Sequence, residues 1–176
     1  LVEDGERKPA FPNAAYFLGR GDWDWFSGKR GAMHHFAQNV GTLADAGVLT
    51  LLDGAVQLTP EVAVIQTPGH TPGHVSVFIE SGAATAIYLG DLCHHPLHFA
   101  HPEWVSSFDT DPALTPAIRK RMFELALEKN AVVICPHAPF PGMGHIRRAG
   151  GGYAWEAIGN SGKADAGVAL IRPTVP

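Results

Sequence analysis

Short runs of β-branched and other apolar residues, bounded by Gly or Pro, fill the middle of the chain. Such runs predict short strands joined by tight turns. The turn signal Ser81-Gly82 lies between the predicted strands 75–79 and 84–89, which predicts a hairpin. The predicted strands are 14–18, 48–52, 56–58, 62–65, 75–79, 84–89, 131–135 and 153–155.

Two stretches have a helical period instead. From Met33 to Ala46 the apolar residues recur at spacings of three and four, and Gly47 ends the pattern. The second helix begins at Thr115-Pro116, with Thr115 predicted as the N-cap and Pro116 as the first helical residue. Strands that alternate with helices are typical of a layered α/β protein. The charged residues of the second helix are predicted to face water: Arg119, Lys120, Glu124 and Glu128.

Composition narrows the class of protein. The 176 residues are 45% hydrophobic and 17% charged, which is enough apolar material for one globular core. The net charge of −4 and the absence of a Lys/Arg block argue against a nucleic-acid surface, so no nucleic-acid partner is expected. No apolar run approaches the roughly 20 residues of a membrane span, so no membrane partner is expected. The charged residues 3–8 are unlike a signal peptide, which favours the cytoplasm unless a leader precedes Leu1.

Three predicted strands end in a side chain that can bind a metal. His70 follows strand 62–65, Asp91 follows strand 84–89, and His137 follows strand 131–135. Imidazole nitrogen and carboxylate oxygen are ligands of zinc, and a catalytic zinc keeps one position open for water. The sequence therefore predicts a metal site where these strands give way to loops.

The residues around these ligands resemble a known family. The turn Thr67-Pro68-Gly69-His70-Thr71-Pro72-Gly73-His74, then Gly90-Asp91, then Pro136-His137 are similar to motifs of the metallo-β-lactamase superfamily of hydrolases. Phe11-Pro12-Asn13-Ala14 and the segment 139–145 are similar to its methyl parathion hydrolase and lactonase branch. The resemblance runs from about Phe11 to Trp155.

The resemblance implies an αββα sandwich with two divalent metal ions, expected to be zinc, at one edge of its sheets. It makes Asp91 the carboxylate that bridges the metals, while His70 and His137 each complete the shell of one metal. The first motif of the superfamily, H-x-H-x-D-H, is absent from this sequence. The chain is therefore expected to be the C-terminal portion of the sandwich, with residues 1–158 as part of one domain and 159–176 as a final strand or tail.

Further side chains are assigned to a catalytic pocket. His94, His95, His98 and His101 follow the bridging Asp91, in a loop expected to lie over the site. A histidine there would contact substrate or carry a proton near neutral pH. His94 is the catalytic candidate and His95 a substrate contact, while the others are expected to be exposed. The resemblance implies an apolar substrate pocket, for which the candidates are Trp25, Phe26 and Phe140.

The function that these features imply is hydrolysis of a lactone, an aryl ester or an organophosphate ester by a metal-bound hydroxide. Two alternatives stay open. One is an iron-dependent redox member of the superfamily, and the other is a non-catalytic fragment that lacks the first motif. The expected partners are a small-molecule ester or lactone, a missing N-terminal segment of the same protein and, because related hydrolases are often dimers, a second copy of the chain.

Overall fold

The computed structural model describes residues 2–3, 5–27 and 34–159. The predicted final strand or tail lies outside these residues from position 160 onward. The strands are β1 (Val2–Glu3), β2 (Glu6–Arg7), β3 (Tyr16–Gly19), β4 (Leu49–Leu52), β5 (Val56–Gln57), β6 (Val62–Gln66), β7 (Val75–Ser81), β8 (Ala84–Tyr88), β9 (Val132–Ile134), β10 (Met143–Ala149) and β11 (Gly152–Ala157). The helices are α1 (Arg20–Ser27), α2 (His34–Phe36), α3 (Thr42–Asp45), α4 (Leu97–Ala100) and α5 (Thr115–Glu128).

A seven-stranded sheet with the order β11-β10-β9-β8-β7-β6-β5 forms the centre of the structure. Its neighbouring strands are antiparallel except for β8 and β9, which are parallel. β3 and β4 form a separate parallel pair, and β1 and β2 form an antiparallel one. The predicted hairpin is confirmed, since β7 pairs with β8 from Val77↔Tyr88 to Ser81↔Ala84.

The direction of the strands places the predicted ligands at one edge of the sheet. β6 and β8 are both antiparallel to β7, and β9 is parallel to β8. β6, β8 and β9 therefore run the same way, and their C-terminal ends lie at the same edge. His70, Asp91 and His137 each follow one of these ends, so the topology brings three distant positions of the sequence together.

The core lies between the sheet and the helices α4 and α5. Phe99 of α4 stacks between Phe123 of α5 and Trp155 of β11, with ring centroids 5.1 and 4.6 Å apart. Ile87 and Val133 of the sheet belong to the same buried cluster. Burial of a side chain of this size stabilises the fold by about 1.5–3 kcal/mol. Phe99 therefore anchors the His-rich loop that follows Asp91.

The helix predicted over 33–46 is present from residue 34. Its middle, Ala37–Gly41, has π-helical hydrogen bonding, with α2 before it and α3 after it. Gly47 ends the helix with a φ of 71°, a conformation that glycine adopts without a steric penalty. Among the described residues, no helix is long and apolar enough to cross a membrane.

The predicted start of α5 is wrong by one residue. Leu114 is the N-cap and Thr115 already belongs to the helix. The carboxylate of Asp111 accepts hydrogen bonds from the backbone nitrogens of Ala113 and Leu114, at 3.1 and 2.9 Å. Thr115 instead donates its hydroxyl to the carbonyl of Asp111 at 2.9 Å. Asp111 thus satisfies donors just before the helix, while the Thr115 side chain caps no free donor of α5.

The prediction that Arg119 faces water is also wrong. The side chain is fully buried. Its guanidinium donates to the carbonyl oxygens of Leu92 and Pro102, both at 2.8 Å, and to that of Trp104. These acceptors lie in the loop that follows Asp91, so Arg119 ties this loop to α5. The spacing of charged residues along a helix does not show that one charged side chain has buried backbone carbonyls to bind.

Candidate metal centre

The carboxylate of Asp91 lies between two imidazole rings. Its Oδ1 is 2.9 Å from Nε2 of His137, and its Oδ2 is 3.3 Å from Nε2 of His70. Each carboxylate oxygen therefore faces a different histidine. This is the arrangement that a carboxylate shared by two cations requires, although the three residues are separated by 21 and 46 positions in the sequence.

His94 completes the cluster. One ligand atom from each of His70, Asp91 and His94 lies within 4.8 Å of the others. The His94 ring is 4.7 Å from the His70 ring and 5.3 Å from the His137 ring, centroid to centroid. Its buried Nδ1 has no hydrogen-bond partner among the described residues. An unpartnered imidazole nitrogen beside a carboxylate and two further imidazoles is a donor set that fits zinc.

The electrostatics keep the cluster in a form that binds a cation. Burial raises the pKa of Asp91, but the hydrogen bond from His137 and the charges of the nearby histidines outweigh it, so the pKa lies below its usual value. Burial and the charge of His70 lower the pKa of His94. Asp91 is thus ionised and His94 neutral near pH 7, and these are the forms that bind metals.

His74 holds the backbone of the Asp91 loop. Its Nε2 accepts a hydrogen bond from the backbone nitrogen of Asp91 at 3.0 Å. Nδ1 therefore carries the ring proton, and it lies 2.8 Å from the hydroxyl and 3.1 Å from the carbonyl oxygen of Thr67. Burial lowers the pKa of His74, which favours this neutral ring. His74 therefore connects the turn that carries His70 to the loop that carries Asp91 through hydrogen bonds.

The start of α1 packs directly on the His70 turn. Asp22 accepts hydrogen bonds from the backbone nitrogen of Gly73 at 2.6 Å and from the hydroxyl of Thr71 at 3.0 Å. A Cβ added to Gly73 would overlap the backbone nitrogen of Asp22, and one added to Gly19 would overlap the carbonyl of Gly73. Glycine is therefore required where these backbones meet, and the contact fixes the turn that carries His70.

Gly73→Ala is expected to destabilise the protein by about 1–3 kcal/mol, because the new methyl group forces apart two packed backbones. Thermal or urea unfolding measures the change. Gly41→Ala is the matched control, since Gly41 has helical dihedral angles and no atom near its Cβ position. Equal stability of the two variants would show that α1 does not hold the turn.

The histidines of the loop after Asp91 differ in burial and in hydrogen-bond partners. His98 was expected to be exposed, and this prediction is wrong, because the ring is buried and its Nδ1 accepts a hydrogen bond from the backbone nitrogen of His94 at 3.2 Å. Burial and the charge of Arg119 lower the pKa of His98 to about 4. His95 is exposed, and its Nδ1 accepts from the backbone nitrogen of Leu97 at 3.1 Å. His98 therefore supports the backbone that presents His94.

The aromatic candidates differ in what they contact. Phe26 stacks on Phe36 of α2, with ring centroids 5.5 Å apart. Trp25 has 42% of its surface exposed, and Phe140, in the loop after His137, has 98% exposed. Trp25 and Phe140 are thus accessible to a ligand, whereas Phe26 already has a packing partner.

Asp109 belongs to the cluster and was missed by sequence reasoning. Its Oδ1 is 3.1 Å from Nδ1 of His70, and its side chain is fully buried. The two residues are 39 positions apart. The sequence contains no spacing that joins them, and the only local signal is an acidic residue in a turn before α5.

Comparisons with known proteins agree with this geometry. No family model matches the chain. An N-acyl homoserine lactonase from a Bacillus species is 30% identical over 88 residues, which are 49% of this chain and 34% of that protein. The dizinc quorum-quenching lactonase AidC, solved with the product N-hexanoyl-L-homoserine, superposes with a TM-score of 0.70 and 26% identity over 89% of this chain and 58% of that one. AbOPH, a hydrolase of the β-lactamase superfamily, gives a TM-score of 0.73 with the same identity and coverage.

The fold and the His-Asp-His cluster define a metallo-β-lactamase type of α/β domain, as the sequence motifs implied. The chain has the fold of the metallo-β-lactamase superfamily, and its sequence is similar to that of the N-acyl homoserine lactonases. It spans about a third of the length of the curated relative and 58% of the two solved structures.

Proposed function

We propose that the protein containing this chain is a metal-dependent hydrolase that opens lactones. The observation that carries the proposal is the Asp91 carboxylate, which faces His70 with one oxygen and His137 with the other. The lactonase relatives support the lactone as substrate. The neighbour that is described as a dizinc enzyme supports two zinc ions.

In this proposal His70, Asp91 and His137 hold the metals, with Asp91 contributing to both. Bound zinc lowers the pKa of water from about 15.7 to near 7 and polarises a carbonyl oxygen. The hydrogen bonds of His74 and the packing of α1 fix the two loops that carry His70 and Asp91. The chain itself therefore supplies orientation, which contributes to rate because it is complete before the substrate binds.

His94 is the proposed catalytic side chain. Its ring lies against both His70 and His137, and its Nδ1 has no hydrogen-bond partner in the part of the chain that the structure describes. A neutral imidazole has one nitrogen that donates and one that accepts, so it serves an oxygen of the substrate or a proton leaving it. His95, Trp25, Phe26 and Phe140 are the proposed substrate contacts. Among them, the exposed rings of Trp25 and Phe140 are best suited to an apolar acyl or aryl group.

The sequence has no H-x-H-x-D-H motif, so three ligands do not saturate two tetrahedral zinc ions. We propose that the remaining ligands come from an N-terminal segment that packs against this one, with residues 1–158 forming the C-terminal part of the shared domain. Aryl ester and organophosphate ester hydrolysis are proposed as additional activities of the same centre.

The test is hydrolysis of N-hexanoyl homoserine lactone, which is monitored through the proton that the product acid releases. The proposal predicts turnover that a chelator removes and added zinc restores. His94→Ala is expected to lower kcat by about 100-fold or more, the usual contribution of a positioned acid or base. His101→Ala is the control, because His101 is a half-buried residue of the same loop whose ring stacks on Trp104. Turnover that survives chelation, or an equal loss in both variants, would contradict the assignment.

A further inference from the structure

We propose that Asp109 is a positioning residue, which fixes the orientation and the tautomer of His70 and so prepares Nε2 of His70 to bind a metal. This inference rests on the proposed metal centre. It deepens that proposal, because it assigns to the site a residue that is not itself a ligand.

The contacts of the Asp109 carboxylate are directional. Oδ1 is 3.1 Å from Nδ1 of His70, while Oδ2 accepts a hydrogen bond from the backbone nitrogen of Ser106 at 2.9 Å. The second bond prevents the carboxylate from rotating away from the ring. Water does not reach the side chain, which is fully buried. The hydrogen bond to His70 is therefore shielded from competition by solvent.

The segment that carries Asp109 also holds the backbone of the His70 turn. The backbone nitrogen of Thr110 donates to the carbonyl of His70 at 3.0 Å, and that of Asp111 donates to the carbonyl of Gly69 at 2.9 Å. The hydroxyl of Thr110 makes a further bond to the Gly69 carbonyl at 3.2 Å. Residues 109–111 thus fix His70 twice, through its main chain and through its ring.

A buried carboxylate is costly unless donors and a positive charge compensate it. The buried guanidinium of Arg119 supplies such a charge, and its attraction to Asp109 opposes the effect of burial on the pKa of Arg119. An asparagine or serine would also bond the Ser106 nitrogen without placing a charge in the interior. The contact with the imidazole of His70 therefore explains better than the contact with Ser106 why this residue is a carboxylate.

The contact with Asp109 determines which nitrogen of the His70 ring carries the proton. A hydrogen bond to a carboxylate favours the tautomer with the proton on Nδ1, which leaves the lone pair on Nε2. Nε2 is the atom that faces Asp91, at 3.3 Å. Partners of this kind orient metal-binding histidines, and losing one typically weakens metal affinity about 10–100-fold.

The matched variants are Asp109→Asn and Asp111→Asn. Both remove one negative charge from the same segment with little change of shape, but the Asp111 side chain caps α5 and does not contact His70. Three measurements are made on the protein that contains this chain together with the proposed N-terminal segment: zinc affinity by calorimetry, the tautomer of His70 by imidazole ¹⁵N NMR without metal, and thermal unfolding. The His70 signals are assigned from a His70→Gln variant.

We expect the Nδ1–H tautomer in the unmodified chain, a zinc affinity about 10–100-fold lower in Asp109→Asn, and little change in Asp111→Asn. An Nε2–H tautomer in the unmodified chain would overturn the inference even if Asp109→Asn did not fold. Equal zinc affinities of the unmodified and Asp109→Asn chains would also overturn it. If the unmodified chain bound no zinc but kept the Nδ1–H tautomer, the proposed metal centre would fail while the contact between Asp109 and His70 stood.

Discussion

Asp91→Ala is expected to abolish metal binding and to reduce lactone hydrolysis by about 1,000-fold or more, the equivalent of losing several kcal/mol of stabilisation from a bound metal. The variant removes the only carboxylate that lies between His70 and His137 among the described residues. Without it, the two rings face each other across a space with no negative charge. Zinc content by elemental analysis and kcat/KM with a lactone measure the two effects.

The control for this variant is Asp53→Ala. Asp53 is an exposed carboxylate that pairs with Arg20 at 2.8 Å, an interaction worth about 0–1 kcal/mol at a surface. The Asp53→Ala variant should keep both its zinc and its activity. If Asp91→Ala retained full zinc content and turnover, Asp91 would not be the bridging residue.

Arg119→Ala is expected to lower the free energy of unfolding by about 3–5 kcal/mol, the largest stability effect that we predict. The change removes the donor of the buried carbonyls of Leu92 and Pro102 and of the partly buried carbonyl of Trp104. It also removes the positive charge near Asp109. In a chain of this size the midpoint of thermal unfolding should fall by roughly 10 °C. Calorimetry or circular dichroism measures it.

Two further variants test whether the hydrogen bonds of Arg119, rather than its charge alone, stabilise the protein. Lys120→Ala changes the neighbouring exposed cation and should shift stability by no more than about 0.5 kcal/mol. Arg119→Lys keeps the charge but loses the planar fork that reaches several carbonyls, so it should recover only part of the loss. If Arg119→Ala were as stable as Lys120→Ala, the loop after Asp91 would not depend on this side chain.

Local pattern was sufficient to predict the strands that form the metal site. The apolar runs before His70, Asp91 and His137 are short and end in Gly or Pro, so their strands and their polar ends follow from the sequence alone. Local pattern does not show that these ends meet at one edge of the sheet, because this depends on the order of the strands. The family resemblance implied a site at one edge, and the strand order of the structure places the three ends there. Their roles as ligands stay a prediction until metal is measured.

The errors have a common physical origin. Arg119 and His98 have residue types that are usually exposed, and only the arrangement of the loop after Asp91 gives them buried partners. Asp109 contacts His70 across 39 positions, and Asp22 bonds the turn at Gly73 across 51. Each is a tertiary relation in which a polar group finds its partner far along the chain. Periodicity and propensity carry no information about such pairs.

The most direct test is the zinc content, after dialysis, of the purified protein that contains this chain together with the proposed N-terminal segment. Elemental analysis compares it with a variant in which His70, Asp91 and His137 are all changed to alanine. We expect about two zinc ions per molecule in the unmodified protein and fewer in the variant, which lacks the shared carboxylate. Equal zinc content in the two proteins, or none in either, would contradict the claim that these three residues form a metal centre.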